Sequence, residues 1–247
     1  MIKIVDQILY QDDLLVAVNK PPGLLTIRDG FDPQNTYLAS ELEKNLGKLL
    51  IVHRLDRDTS GVILFARTAD SHRALNQQFQ ERQVTKVYHL LAFGSSTWES
   101  IEVDLPLRTN VGHRRRTVID SERGKPARTC FNIKQRLTSK FFLIEATPLT
   151  GYTHQIRAHI CASGYWILND ALYTPEVITE TRSKPKRMLL RELKDEIKEI
   201  PINRLALHAS RIVFTHPSSG QPIGFEAPYP DDFRLAVQAL GHLKPTT

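Results

Sequence analysis

Short apolar runs separated by polar turns dominate the pattern of hydrophobic positions along the chain. Runs of this length, rich in apolar and β-branched residues, are typical of strands, several of them buried on both faces. They lie at 14–19, 49–52, 62–66, 84–93, 141–146, 205–215 and 221–227. The pattern therefore predicts a protein with a large β-sheet component.

Two segments have helical rather than strand periodicity. Segment 68–83 opens with Thr68, a capping residue type, and places Leu75 and Phe79 four positions apart among polar residues. This spacing predicts an amphipathic surface helix. Segment 153–163 predicts a second helix, for which Thr153 is the expected N-cap.

Two further segments predict hairpins. The last two apolar runs flank a turn-forming cluster at 216–220, which favours a β-hairpin. Segment 105–131 is also hairpin-like, and its side chains include seven arginines and lysines against two carboxylates. It is the most basic stretch of the chain.

No repeat or flexible linker divides the sequence. Residues 174–203 form a charged, nearly neutral insertion, in which 186–199 has charge spacing compatible with a helix. We therefore expect one continuous domain over 1–247, of class α+β, with a mixed, mainly antiparallel central sheet flanked by helices and loops.

Composition and charge narrow the class of protein. The 247 residues are 41% hydrophobic and 24% charged, which excludes a disordered or low-complexity chain. The formal net charge of +6 favours polyanionic partners. The two cysteines are isolated, which favours a reducing compartment. No run of about 18 consecutive apolar residues occurs, so we expect a cytoplasmic protein without a membrane span.

The segment His53–Gly61 connects two predicted buried strands and carries an unusual density of polar residues. A loop held between two buried strands displays its side chains from a rigid base, as catalytic groups commonly are. A salt-bridged structural turn is the alternative. Nucleotide-binding, serine-hydrolase and zinc-protease signatures such as G-x-G-x-x-G, G-x-S-x-G and H-E-x-x-H do not occur.

This segment reads H-R-L-D-R-D-T-S-G and resembles the H-R-L-D-x-x-T-S-G signature of RluA-type RNA pseudouridine synthases at every defined position. The resemblance continues in the family's order over nearly the whole chain. It includes N-K-P-P-G at 19–23, K-V-Y at 86–88, G-K-P-A at 124–127, T-H-Q-I-R at 153–157 and L-H-A at 207–209. The resemblance implies the pseudouridine synthase catalytic fold.

The resemblance also implies a catalytic set of three residues. Asp56 corresponds to the catalytic aspartate, Tyr88 to the tyrosine that packs on the target base, and Arg157 to the arginine paired with that aspartate. An ionised carboxylate suits a reaction that breaks the C1′–N1 bond, either as a nucleophile or by stabilising positive charge on the sugar. A guanidinium beside it would offset the desolvation of its charge.

RNA contacts are expected around this set. The resemblance implies that Arg54 enters the RNA where the uridine is flipped out. Lys86 shares a strand face with Tyr88 and could contact phosphate, and His53 either touches RNA or holds the loop. Phosphate contacts are also expected from the basic stretch, at Arg114, Arg115, Arg116 and Lys125.

The chain departs from the family pattern at two positions: Tyr152 stands where arginine is usual, and Asn169 where glycine is common. The resemblance begins by about residue 10, so we expect no S4 RNA-binding domain. The expected partner is a structured RNA stem-loop, with tRNA ranked slightly ahead of rRNA. We expect a monomer with no metal, no cofactor and no obligate protein partner.

Two other functions are compatible with parts of the sequence. A metal-dependent hydrolase could use His53, Asp56, His154 and His159. His154 and His159 are five apart, however, and at about 100° per residue they point to different sides of a helix. A non-catalytic RNA-binding protein would keep the basic surface but has no reason to retain Asp56 with an arginine partner.

Overall fold

The computed structural model describes residues 4–28, 36–94, 98–173 and 197–242. The chain divides into two compact units, Met1–Tyr88 with Leu207–Tyr229 and His89–Ala206 with Pro230–Thr247. Of the insertion predicted at 174–203, residues 174–196 lie outside the described residues. Most of the helix considered at 186–199 therefore also lies outside them.

The described elements are numbered in chain order. The strands are β1 Ile8–Gln11, β2 Leu15–Lys20, β3 Leu50–Ile51, β4 Ser60–Ala66, β5 Thr85–Gly94, β6 Ser100–Asp104, β7 Leu107–Val111, β8 Arg116–Ile119, β9 Arg128–Arg136, β10 Phe141–Pro148, β11 Tyr165–Ile167, β12 Leu207–Thr215 and β13 Pro222–Glu226. The helices are α1 Leu38–Leu46, α2 Ala69–Gln80, α3 Gln155–Ala162 and α4 Asp231–His242, with a 3₁₀ turn at Ile4–Gln7.

The first unit is built on the strand order β1-β2-β4-β12, with β3 added to β4 and β13 added to β12. Every residue of β4 is buried, as its uninterrupted apolar run predicts. The pairs are antiparallel except β12 with β4, which is parallel and aligns Ala209 with Gly61. The hairpin predicted around 216–220 is confirmed as β12–β13.

The second unit contains the neighbouring strands β10, β9 and β6, together with the part of β5 that begins at His89 and its partner β11. Strand β9 is antiparallel to both β10 and β6. Strands β7 and β8 form a separate two-stranded hairpin. Together the two units confirm an α+β fold with mainly antiparallel strands.

The two predicted helices differ at their starts. Thr68 caps α2 as predicted, since its Oγ1 accepts a hydrogen bond from the backbone N–H of Ser71 at 3.1 Å. The N-cap of α3 is His154, in a left-handed conformation with φ 55°, so the prediction of Thr153 was wrong. The carbonyl of Thr153 is bound instead by the Thr117 hydroxyl, which holds that residue outside the helix.

The basic stretch folds differently from one long hairpin. The β7–β8 hairpin spans 107–119, and the chain then passes so close to it at Gly124 that a Cβ there would lie 2.3 Å from the Asp120 carbonyl oxygen. Backbone hydrogen bonds of 2.9 Å in both directions join Lys125 to Leu107 before the chain enters β9. None of the described helices is long and apolar enough to cross a membrane.

Candidate active site

The loop that carries Asp56 connects β3 to β4 in the first unit and is fixed on both sides of that residue. Leu55 is buried, donates its N–H to the Thr26 hydroxyl at 3.2 Å and accepts from the same hydroxyl at 3.0 Å. The Arg57 carbonyl accepts from Lys20 Nζ at 2.8 Å and from the Gly23 N–H at 2.9 Å. The half-buried Asp56 therefore stands on a backbone held at both neighbours.

The side chain of Lys20 binds the backbone of this loop. Its side chain is fully buried, and Nζ donates to the carbonyls of Pro21, Leu24 and Arg57 at 3.0, 2.7 and 2.8 Å. An ammonium group has three donors, and these three carbonyls match them. Lys20 thus joins the Pro-Pro-Gly turn to the loop that carries the carboxylate.

Replacing Lys20 with Met should lower the free energy of unfolding by about 2–4 kcal/mol, because the carbonyls of Pro21, Leu24 and Arg57 lose a charged donor that is itself fully buried. Urea denaturation measures this change. The control is Lys44→Met, which removes an exposed lysine paired with Glu41 on α1 and should cost about 0.5 kcal/mol or less. Equal losses in the two variants would contradict the proposed part of Lys20.

The far end of the loop is fixed by a buried histidine. Ser60 Oγ lies 3.0 Å from His208 Nδ1, and His208 Nε2 lies 3.0 Å from the carbonyl oxygen of Ala227. A carbonyl can only accept, so Nε2 carries the proton and Nδ1 accepts from the serine hydroxyl. His208 is fully buried, and the edge of its ring meets Tyr229. This contact attaches the loop to β12.

His53 holds the loop at its start. Its Nε2 accepts a hydrogen bond from the backbone N–H of Leu64 at 3.1 Å, and its ring stacks on Phe79 at 4.8 Å. Burial, with the nearby charge of Lys86, lowers the pKa of His53 to about 3, so the ring is neutral at physiological pH. The structure thus gives His53 a structural part, and its contact with RNA stays a prediction.

Lys86 and Tyr88 lie two positions apart on β5, so their side chains face the same side of the strand, and both are half-buried. Tyr88 is half-buried against the core cluster that includes Leu55. Burial, and then the negative charge of Asp56, raise the pKa of Tyr88 well above its usual value of 10. The phenol therefore stays protonated beside the carboxylate. Burial also lowers the pKa of Lys86.

Arg157 lies on α3 in the second unit and is buried. Its Nε and Nη2 donate to the two carboxylate oxygens of Asp170, each at 2.7 Å, in a bidentate pair. The guanidinium carbon lies 5.0 Å from the centroid of the Tyr173 ring. Arg157 is therefore a fixed cation, and its predicted pairing with Asp56 stays a prediction.

The rest of α3 is held by buried polar side chains. Gln155 Nε2 donates to Thr129 Oγ1 at 2.9 Å, and Thr129 Oγ1 lies 2.9 Å from His159 Nδ1. His159 Nε2 in turn donates to the Leu105 carbonyl at 2.9 Å. Both ring nitrogens of His159 are thus engaged, and no metal-binding cluster of three or more His, Cys, Asp or Glu occurs among the described residues.

Four of the seven predicted RNA-binding residues are exposed, and the other three are half-buried. Arg54 is exposed at the loop that carries Asp56. On the β7–β8 hairpin, Arg108 pairs with Asp120 at 3.1 Å. Exposed or half-buried cations on this hairpin and beyond it are Arg114, Arg115, Arg116 and Lys125.

Four residues that hold the predicted catalytic residues or their loop, each within its own unit, carried no predicted role: Lys20, His208, Asp170 and Tyr173. Lys20 and His208 stand in two blocks of the family resemblance, at 19–23 and 207–209, and Lys20 is also a charged residue at the end of an apolar strand. Apart from Lys20, these residues bind partners that are distant in sequence, Ser60 and His208 being 148 residues apart. No local pattern indicates such pairs.

Comparisons with known proteins identify the family of the chain. The family model described as RNA pseudouridylate synthase matches residues 14–162. The chain is 36% identical over 222 residues to the Dual-specificity RNA pseudouridine synthase RluA of Pasteurella multocida, covering 90% of this chain and 92% of that protein. It is 33% identical to the Ribosomal large subunit pseudouridine synthase D of Nitrosomonas europaea, covering 96% of this chain and 66% of that protein.

Solved structures show the same fold. Human RNA Pseudouridylate Synthase Domain Containing 4 superposes with a TM-score of 0.74 at 24% identity, covering 98% of this chain and 96% of that one. Human RNA Pseudouridylate Synthase Domain Containing 1 gives a TM-score of 0.69 at 22% identity, with the same coverage. With this fold and the matched loop, the chain belongs to the RNA pseudouridine synthase family, of the RluA type.

Proposed function

We propose that this protein isomerises a specific uridine to pseudouridine in a structured RNA and that Asp56 is the catalytic carboxylate. The observation that carries the proposal is the anchoring of the loop at Leu55 and Arg57, which fixes the backbone of Asp56, whose negative charge contributes to the raised pKa of Tyr88. A pre-positioned ionised carboxylate next to a flat ring suits chemistry at the sugar of a stacked base.

The reaction breaks the C1′–N1 bond, turns the uracil and joins C1′ to C5; C5 then loses its proton and N1 gains one. The carboxylate of Asp56 either attacks C1′ and is later displaced, or stabilises the electron-deficient sugar and helps to remove a sugar proton. Product and substrate are isomers, so the reaction balances without an oxidant, a reductant or a carried group. We therefore propose that no cofactor takes part.

Tyr88 supports the base in this proposal. Its ring provides a stacking surface for the flipped uracil, and its raised pKa keeps the hydroxyl protonated. A protonated phenol can hydrogen-bond to the base without adding a second negative charge beside Asp56. Lys86, on the same strand face, is proposed to contact phosphate.

Arg157 is proposed to pair with Asp56 in the reactive complex. The bidentate bond from Asp170 and the ring of Tyr173 fix the guanidinium in one orientation. A fixed guanidinium keeps a partly desolvated carboxylate ionised, which a mobile cation does less well. Arg54, exposed on the loop, is proposed to occupy the space that the flipped uridine leaves.

The β7–β8 hairpin is proposed to hold the RNA backbone. Replacing Arg114, Arg115 and Arg116 together with Gln should reduce the slope of log K against log salt concentration by about 2–3, because each lost phosphate contact removes about one released counterion. The matched control is Arg73→Gln, an exposed arginine on α2 paired with Asp70. A triple variant with the same salt slope as this control would exclude the hairpin from the RNA interface.

For the substrate we propose tRNA ahead of rRNA. Relatives that match over nearly their whole length are named dual-specificity enzymes, and another is named for the large ribosomal subunit. We further propose that the protein acts in the cytoplasm as a monomer and needs no obligate protein partner.

Pseudouridine mapping across total RNA tests the whole proposal. RNA from cells that lack the gene is compared with RNA from cells complemented with the wild-type gene or with Asp56→Asn. A tRNA site that is lost, restored by wild type and not by the variant is the expected result. A restored site in rRNA alone would reverse the ranking of substrates. No lost site would favour a non-catalytic RNA-binding protein and overturn the proposal.

A further inference from the structure

Tyr173 lies between the basic hairpin and Arg157, and its hydroxyl binds the hairpin backbone. The hydroxyl oxygen accepts the N–H of Thr117 at 2.7 Å and donates to the carbonyl of the same residue at 3.1 Å. Thr117 is buried and follows Arg116 directly in β8. One hydroxyl therefore satisfies both backbone groups of a buried residue, which would otherwise lose their partner.

The other end of Tyr173 supports the cation. Its ring lies under the Arg157 guanidinium at 5.0 Å, and its backbone N–H donates to Asp170 Oδ1 at 3.0 Å. That same carboxylate receives both hydrogen bonds from Arg157. Any movement of Tyr173 thus changes the position of Arg157 through the ring and through Asp170.

Two further contacts strengthen the link between hairpin and helix. The Thr117 hydroxyl donates to the Thr153 carbonyl at 2.6 Å, immediately before α3. His154 Nδ1 lies 3.3 Å from the Tyr173 hydroxyl, and His154 itself occupies a left-handed conformation that side chains rarely adopt. Strand β8 and the start of α3 are therefore fixed to the same tyrosine.

We propose that Tyr173 is a positioning residue that couples the β7–β8 hairpin to the guanidinium of Arg157. The hydroxyl fixes Thr117 and so holds the hairpin where it can bind RNA phosphate, while the ring holds the Arg157 guanidinium in its reactive orientation. This inference rests on the proposed function and adds a coupling between backbone binding and the catalytic centre. It gives the tyrosine hydroxyl and the tyrosine ring separate tasks.

Two substitutions separate these tasks. Tyr173→Phe keeps the ring under Arg157 and removes the hydroxyl, whereas Tyr173→Leu removes both. The control is Tyr152→Phe, which takes a hydroxyl from a half-buried tyrosine packed against the small buried cluster that includes Tyr173. The readouts are amide hydrogen exchange over β8, affinity for a short labelled RNA hairpin, and the single-turnover rate on total RNA from cells lacking the gene.

In Tyr173→Phe we expect amide exchange over β8 to rise about fivefold to tenfold and RNA affinity to fall about fivefold, while the saturating single-turnover rate stays within about threefold. In Tyr173→Leu the rate should fall about tenfold or more, because the guanidinium loses its support. A purely structural part would not separate affinity from rate in this way.

The coupling also predicts non-additivity with the hairpin charges. Arg114→Gln with Arg115→Gln should weaken binding of the RNA hairpin about tenfold in the wild-type background and about threefold or less in Tyr173→Phe. Additive effects, unchanged exchange over β8, or a wild-type rate in Tyr173→Leu would each overturn the inference.

The proposed function can be judged separately. If the wild-type protein forms no pseudouridine in the same RNA, the proposed function is overturned. Exchange over β8 and the non-additive binding then still decide whether Tyr173 fixes the hairpin. If the wild type is active and Tyr173→Phe behaves like Tyr152→Phe in every readout, the coupling is overturned and the proposed function stands.

Discussion

Asp56→Asn is expected to lower the single-turnover rate of isomerisation by at least about a thousandfold while RNA affinity stays within a few-fold. The amide has nearly the shape of the carboxylate, so the loop anchored at Leu55 and Arg57 should keep its conformation. It carries no negative charge, and it is a far weaker nucleophile and base. Pseudouridine formed per enzyme, measured beside RNA binding, checks both parts of the expectation.

The control for this substitution is Asp58→Asn in the same loop. Asp58 carries an equal charge two residues away and forms an ion pair with Arg57 at 3.2 Å, where both side chains are largely exposed. Its loss should change the rate by about threefold or less. A near-wild-type rate in Asp56→Asn, or an equal loss in both variants, would reject the catalytic role of Asp56.

Gly61→Ala is expected to reduce the free energy of unfolding by about 4 kcal/mol or more, or to prevent soluble expression. Gly61 has φ +112°, and a Cβ there would lie 2.1 Å from the carbonyl oxygen and 2.6 Å from the nitrogen of Ala209. Both atoms belong to the backbone of β12, so no side chain can move aside. The parallel pairing of β4 with β12 would have to open.

Gly220→Ala is the control that separates the effect of the steric clash at Gly61 from the effect of a positive φ. Gly220 also has a positive φ, +67°, but a Cβ there would meet nothing within 4 Å. It should cost about 1 kcal/mol through strain alone. Urea denaturation, with soluble yield as a second readout, compares the two, and similar losses would show that close approach at Gly61 is not what requires glycine.

The sequence predicted the strands of both units well because buried strands show as short apolar runs. Runs such as 62–66 need no partner to be recognised. It missed β1, β6, β11 and the helices α1 and α4. Strand β11 has only three residues, and the others mix apolar and polar positions without a clear period over a short length. It also placed the N-cap of α3 one residue early, because Thr153 is the better capping type and its contact with Thr117 is not visible locally.

The sequence alone was enough to identify the loop with Asp56, the strand with Tyr88, the helix with Arg157 and the basic hairpin, because each lies within one contiguous motif. Only the tertiary structure decided what holds them: Lys20 under the loop, His208 behind Ser60, and Asp170 with Tyr173 around Arg157. Hydrogen bonds join groups that are near in space, and these partners are 13 to 148 residues apart in sequence. Periodicity and motif spacing describe neighbours along the chain, so they cannot show which distant side chain binds a given buried group.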